Sequence, residues 1–198
     1  MNEERPVWLL DVDGVLNACS SRGCRTVWPQ ECWNSCVVAD LDGRKWPILV
    51  ADPVVSYLRA VHVNGDAEIR WHTSWQHSAP QRLAPALGLP DWPVAVAPEY
   101  HDPSGHTAHG WWKLGAAARV LEEEGRRLVW TDDDISFGAQ LTGAVGELLR
   151  RPGVLAVTPR TTIGLTRKNL LAVDAFLGAD DGRIPVLEGT SAPGQAVR

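Results

Sequence analysis

Asp11 and Asp13, two carboxylates separated by one residue, follow the apolar run from Pro6 to Leu10 and precede Gly14. An apolar run that ends abruptly in acids reads as a buried strand that delivers its last residues to one edge of a sheet. There one carboxylate can attack a phosphorus atom while the other handles a proton, and glycine lets the backbone approach a phosphate. Taken alone, the tripeptide would serve equally well as a turn whose aspartates cap the next element. Other strand ends shift that balance. Thr73 and Ser74 close a second apolar run with hydroxyls and backbone amides suited to a phosphoryl oxygen. Lys113 opens a helical pattern after a polar loop, where its ammonium can neutralise the same group. Asp132 and Asp133 follow Leu128-Val129-Trp130-Thr131 and, with Asp11, offer the hard oxygen ligands that Mg²⁺ requires. An acidic triplet at 132–134 also suits the start of a helix.

The elements that must position these residues alternate between strand and helix. Beyond the first strand, residues 17–36 read as a loop or flap. Cys36 to Leu41 and Lys45 to Val50 flank Asp42-Gly43, which predicts a β-hairpin. Asp52 as N-cap with Pro53 behind it starts a helix that Asn64-Gly65 stops. A strand follows from Ala67 to His72, then a helix from near Ser78 to Gly88. Further strands are expected at Val94–Ala97, Arg127–Thr131 and Val154–Val157. Further helices are expected at Trp112–Glu124 and within Phe137–Leu149, and from a Thr166 cap through Phe176. Alternation of this kind predicts an α/β fold, a Rossmann-like parallel sheet sandwiched by helices with ligands at the carboxyl ends of its strands. A hairpin flap within about residues 17–50 is its one elaboration, and no gap between motifs accommodates a large cap. Residues 1–178 form the expected catalytic domain, and 179–198, poor in large apolar residues, a flexible tail.

The order Asp-x-Asp, Thr, Lys, Asp-Asp, each after its own strand or at a helix start, resembles the four-motif pattern of the haloacid dehalogenase (HAD) superfamily. More closely, the chain resembles the small HAD domain of "Swiss Army knife" RNA-repair proteins. The residues behind that likeness are Leu9 to Asn17, Trp71 to Trp75, Leu87 to Pro90, Trp112-Lys113, Trp130 to Asp134 and Gly164 to Thr166. The resemblance implies a Mg²⁺-dependent phosphatase in which Asp11 forms an aspartyl-phosphate and Asp13 acts as acid, then base. It further implies Mg²⁺ held by Asp11, the Asp13 carbonyl, Asp132 and Asp133, and phosphate held by Gly14, Thr73, Ser74 and Lys113. Dehalogenases of the superfamily lack the second aspartate. An uncovered site goes with large substrates there, so a polynucleotide or protein phosphate end, a nucleic-acid end foremost, is favoured over a small metabolite or nucleotide. The sequence has no Gly-x4-Gly-Lys-Ser/Thr phosphate loop, so a repair role would draw its kinase or ligase from a separate partner. Phospho-accepting signalling modules share the residue types, but place the acceptor on a middle strand. A non-catalytic phosphate binder is the remaining alternative on this scaffold.

Cys19, Cys24, Cys32 and Cys36 could in principle hold a structural zinc ion, but their spacing matches no zinc module well, and reduced thiols are the expected reading. Most of the ten tryptophans are expected in the core or at its rim, although Trp71, Trp75, Trp111, Trp112 and Trp130 lie beside the motifs. His72 reads as a sheet residue, and His101, His106 and His109 as loop residues. Arg22, Arg25, Arg44 and Lys45 could touch a polyanion from the flap. At 198 residues, 44% hydrophobic and 22% charged, the composition is that of one globular domain, and a net charge of −5 supplies no general attraction to nucleic acid. No apolar run reaches the ~18 residues of a membrane span or forms a signal peptide, so no membrane partner and a cytoplasmic location are expected.

Overall fold

Every strand that ends in a motif residue lies in one parallel sheet. A computed structural model describes residues 4–20, 26–95, 111–141 and 143–178. Four strands, β1 (Val7–Leu10), β4 (Glu68–Trp71), β5 (Leu128–Thr131) and β6 (Val154–Val157), run parallel in the order β4-β1-β5-β6. The first strand in sequence is therefore central, and crossovers carry the chain to either side of it. The remaining strands, β2 (Trp33–Ala39) and β3 (Lys45–Ala51), form a separate antiparallel hairpin. Helices cover both faces: α1 (Asp52–Asn64), α2 (Ala84–Leu87), α3 (Trp112–Glu122), α4 (Ile135–Leu141), α5 (Gly143–Leu149) and α6 (Arg167–Leu177).

Side-chain alternation along the strands divides the core in two. Trp8, Leu10, Ile69, Trp71 and Val129 join the helices α1 and α6 and the hairpin in one apolar cluster. Val7, Leu9, Leu128 and Trp130 join α3 and α5 in the other. With a period of two, the residue after each strand points to a defined face. Asp11 continues the parity of Val7 and Leu9, and Asp132 that of Leu128 and Trp130, so both are directed to the face covered by α3.

The predicted helix ends hold where the local chemistry is strong. Thr166 caps α6 reciprocally with Asn169, and Gly65 ends α1 in the left-handed conformation at φ 72°. Gly43, at φ 81°, makes the hairpin turn. Two local expectations change. Asp52 is the first residue of α1 rather than its cap, the N-cap being Ala51; the Asp52 carboxylate instead accepts from Asn34 of β2 at 2.5 Å. The segment expected to be loop up to Cys36 is already strand from Trp33, because it pairs with β3 in register up to Ala51. At the strand expected over 94–97, Val94 forms an isolated bridge to Trp71 and the Ala95 N–H donates to Trp71 O at 2.7 Å; residues 96 and 97, the histidines at 101, 106 and 109, Arg22, Cys24, Arg25 and the tail lie outside the described residues.

At the amino ends of the strands, opposite the acidic rim, Arg70 makes a bidentate pair with Glu124 at 2.7 and 2.8 Å and meets Glu68 at 2.8 Å. Arg126 adds Glu68 at 2.7 Å and the Arg5 carbonyl at 2.7 Å. Hydrogen bonding from Arg70 holds the Glu124 carboxyl below its usual range, against some burial. Burial opposes ionisation of Glu68, but the hydrogen bonds from Arg70 and Arg126 outweigh it and lower that group too. A lowered folded-state pKa contributes stability above the unfolded value of 4.5, and that contribution is lost as pH falls through the folded value. Glu124→Gln is therefore expected to lose less stability than the parent between about pH 5 and pH 3. Urea melts at both pH values check this, and parallel losses would mean that the network is not linked to acid unfolding.

Candidate active site

Strand register brings the acids together. Leu10 is abreast of Trp71 on one side and Thr131 on the other, and Thr131 is abreast of Val157. One residue further on, Asp11 and Asp132 therefore stand side by side on adjacent strands, whose spacing is about 4.8 Å. Backbone bonds extend the ladder past the strand ends: Asp11 N–H donates to Thr131 O at 3.1 Å, His72 N–H to Leu10 O at 2.8 Å and Asp132 N–H to Val157 O at 3.1 Å. Because both carboxylates face α3, the helix's second residue reaches them. Lys113 Nζ donates to Asp11 Oδ2 at 2.5 Å and pairs with Asp132 Oδ2 at 2.6 Å.

All three groups are buried, Asp11 at 5%, Asp132 at 0% and Lys113 at 6% exposure. Burial raises the Asp11 carboxyl above its ordinary range, with Lys113 opposing. Burial, followed by the neighbouring Asp11 charge, pushes Asp132 up to about 7, again with Lys113 opposing. For Lys113, burial disfavours the ammonium, but Asp11 and Asp132 outweigh it and keep it protonated. Half-buried Asp133 is raised by burial and partly restored by Thr161 Oγ1, which donates to its Oδ2 at 2.6 Å.

Carboxylate oxygens of Asp11, Asp132 and Asp133 lie within 4.8 Å of one another. Asp132 Oδ1 accepts from the Asp134 N–H at 2.9 Å, and its fully buried Oδ2 has the Lys113 ammonium at 2.6 Å as its partner. Three acids whose oxygens lie this close can hold a metal ion, and hard carboxylate oxygens suit a divalent cation with oxygen preference. Gly14 is fitted to the same spot: at φ 71° it turns the chain back, and a Cβ there would collide with the Asp133 carboxylate.

Asp13 is held differently. Its Oδ1 accepts from Asn17 Nδ2 at 2.8 Å and its Oδ2 from Trp75 Nε1 at 2.9 Å. Asn17 also accepts from the Leu49 N–H at 2.8 Å, which docks strand β3 on the loop that carries Asp13. The hairpin is thus fastened at the site. Thr73 is fully buried, and its hydroxyl lowers Asp11 against the effect of burial. Ser74, by contrast, is exposed and lines a cavity of about 530 Å³ that Asp13 borders. Of the expected site residues, Asp11, Lys113, Asp132 and Asp133 converge most closely, with Gly14 against Asp133 and Thr73 behind Asp11.

Three side chains escape a reading of the sequence. Asn17 and Trp75 orient Asp13, and Thr161 orients Asp133. Asn17 at the end of the first motif and Trp75 just after Thr73 were visible as neighbours of motif residues; Thr161, 28 residues beyond Asp133, carries no local signal. Seven tryptophans, Trp8, Trp28, Trp71, Trp75, Trp92, Trp111 and Trp130, are buried as expected. His72 is also fully buried, between the rings of Trp112 and Trp130 at 5.5 and 5.9 Å. Cys19, Cys32 and Cys36 are free thiols, and among the described residues the only cluster able to hold a metal is the acidic one.

The fold and the site together define a parallel α/β sandwich of Rossmann-like form with an acid-lysine cluster at the carboxyl ends of its central strands. No family model, curated protein or solved structure matches the chain. Among the described residues no helix is long and apolar enough to cross a membrane.

Proposed function

We propose that the chain is a Mg²⁺-dependent phosphomonoester hydrolase of the HAD type that works through an aspartyl-phosphate. The observation that carries the reading is the convergence of Asp11, Asp132 and Asp133 within 4.8 Å, with Lys113 bonded to Asp11. A turn that merely caps a helix has no reason to bury two acids and a lysine together beside a third, half-buried acid, since each buried charge costs several kcal/mol unless compensated.

In this reading Asp11 attacks phosphorus in line and the bond to the leaving oxygen breaks as Asp13 donates its proton. Asp13 then takes a proton from water, which attacks the aspartyl-phosphate, releasing inorganic phosphate and restoring Asp11. Asn17 and Trp75 keep both Asp13 oxygens in place for the two transfers. Lys113 and Thr73, with the backbone at Gly14 and Ser74, hold the phosphoryl oxygens. Asp11, Asp132, Asp133 and the Asp13 carbonyl would hold Mg²⁺, which would supply positive charge against the phosphoryl oxygens.

The favoured substrate is a phosphorylated nucleic-acid end, with a nucleotide or small metabolite as the second reading. Hydrolysis would be tested by phosphate release with Mg²⁺ from nucleotides, sugar phosphates, phosphopeptides and end-phosphorylated RNA and DNA. Release that stops with chelator is the expected result. Absence of release from the whole panel, with Mg²⁺ present, would count against a phosphatase.

A further inference from the structure

Beside Asp13 the hairpin presents an aromatic ring to solvent. Trp46 of β3 remains 39% exposed, while seven of the other tryptophans are buried. It is nevertheless fixed. Its Nε1 donates to Asp40 Oδ2 at 2.8 Å, the Arg44 guanidinium lies 5.5 Å from its ring centre, and Trp75 lies 6.3 Å away. The hairpin tip is tied across the cavity as well, the Leu41 N–H donating to Ser78 Oγ at 3.1 Å. An indole held in one orientation and left open loses the apolar burial that the core offers its neighbours and presents a ready plane to a ligand.

Trp46 and Trp75 both line the cavity of about 530 Å³ that Asp13 borders. That volume lies within the ~300–1,000 Å³ of small-molecule sites. The charge of its walls discriminates among leaving groups. Among the described residues that line it are Asp13, Asp40 and Asp42, with Arg44 as the permanent cation and His77 beside them, so a second phosphate would meet three carboxylates there. A flat, uncharged ring whose exocyclic amino groups donate hydrogen bonds suits the same walls.

We propose that this cavity receives the nucleobase of the nucleotide carrying the scissile phosphate, stacked on Trp46, with the Asp40–Asp42 rim accepting from the base. The proposal rests on the phosphatase reading for its orientation: the leaving oxygen lies at Asp13, and of the two cavities that Asp13 and Trp46 border, this is the one that Ser74, assigned to the phosphoryl group, also lines. Base stacking on Trp46 also gives Trp75 two tasks, as wall of the cavity and as donor to Asp13 Oδ2. A free nucleoside monophosphate and a phosphorylated strand end share this chemistry.

The test compares kcat/KM for adenosine monophosphate with that for glycerol phosphate, in the parent protein, Trp46→Ala and Trp46→Phe. Calorimetric binding of adenosine monophosphate to the same three proteins is measured in parallel. Expected is a fall of about tenfold or more in the adenosine-to-glycerol preference for Trp46→Ala, on the scale of a lost stacking contact. Trp46→Phe should retain most of the preference, and the calorimetric affinity should follow the same order. An end-phosphorylated tetranucleotide run alongside identifies which source of the base is preferred. If the parent hydrolyses both phosphates and Trp46→Ala leaves preference and affinity unchanged, the stacking site is overturned and the phosphatase stands. If no phosphate is released from any compound but adenosine monophosphate binds and Trp46→Ala weakens it, the stacking site stands and the phosphatase reading falls.

Discussion

Asp11→Asn is expected to lower Mg²⁺-dependent phosphate release by about 10⁴-fold, the scale on which losing one member of a catalytic unit is felt. Asparagine keeps the shape of the side chain and an oxygen to accept the Val12 N–H, which lies 2.7 Å from Asp11 Oδ1. What it lacks is the carboxylate nucleophile and one negative charge toward the cation. Loss of fold would not account for the result. Burial already disfavours the ionised form of Asp11, and Lys113 would keep its pair with Asp132 at 2.6 Å. The measurement is single-turnover phosphate release beside far-UV circular dichroism. Turnover within about tenfold of the parent would move the nucleophile elsewhere.

Lys113→Met tests the electrostatic balance of the same site without depending on any substrate. Methionine is close to lysine in length and fills the same apolar channel beside Trp111 and Trp112, whose rings lie 5.9 and 5.5 Å from the ammonium. Removing the ammonium leaves Asp11 and Asp132, both nearly inaccessible to water, facing each other with no counter-charge. Breaking a buried pair by deleting one partner costs about 3–5 kcal/mol. Urea unfolding in the presence of chelator should therefore show a loss of that size, and added Mg²⁺ should recover part of it by binding the folded state alone. A loss below about 1 kcal/mol, the scale of an exposed pair, would mean that Lys113 is not the compensating charge.

In the proposed function, substrate choice turns on the hairpin rather than on the acids. Asn17 joins Asp13 to β3 through the Leu49 N–H, so the element that carries Trp46 and Arg44 is registered against the residue assigned to proton transfer. Arg44, read from sequence as a contact for a polyanion, lies over the Trp46 ring in a cavity whose other charged walls are acidic. Its surroundings favour an aromatic group over a phosphate backbone at that point.

What the sequence by itself determined was everything coded within about ten residues. An apolar run stopping at acids located β1 and β5, Asp42-Gly43 located the hairpin turn, and Thr166 located the start of α6. Turn chemistry, capping and period are local physics, which is why these survived with shifts of a few residues. At Val94 the described chain makes an isolated bridge to Trp71, a partner remote in sequence.

Only the tertiary structure decided that Asp11 and Asp132 stand abreast, that α3 covers the face to which both point, and that Lys113 therefore bonds across 102 residues to Asp11. Pairing register and the choice of covering helix are set by long-range packing, and neither leaves a mark on residue spacing. The same holds for Trp46, whose exposure beside Asp13 follows from how a hairpin is docked on a loop. Side-chain types named the chemistry available; the meeting of strands from distant parts of the chain assigned each group its neighbours.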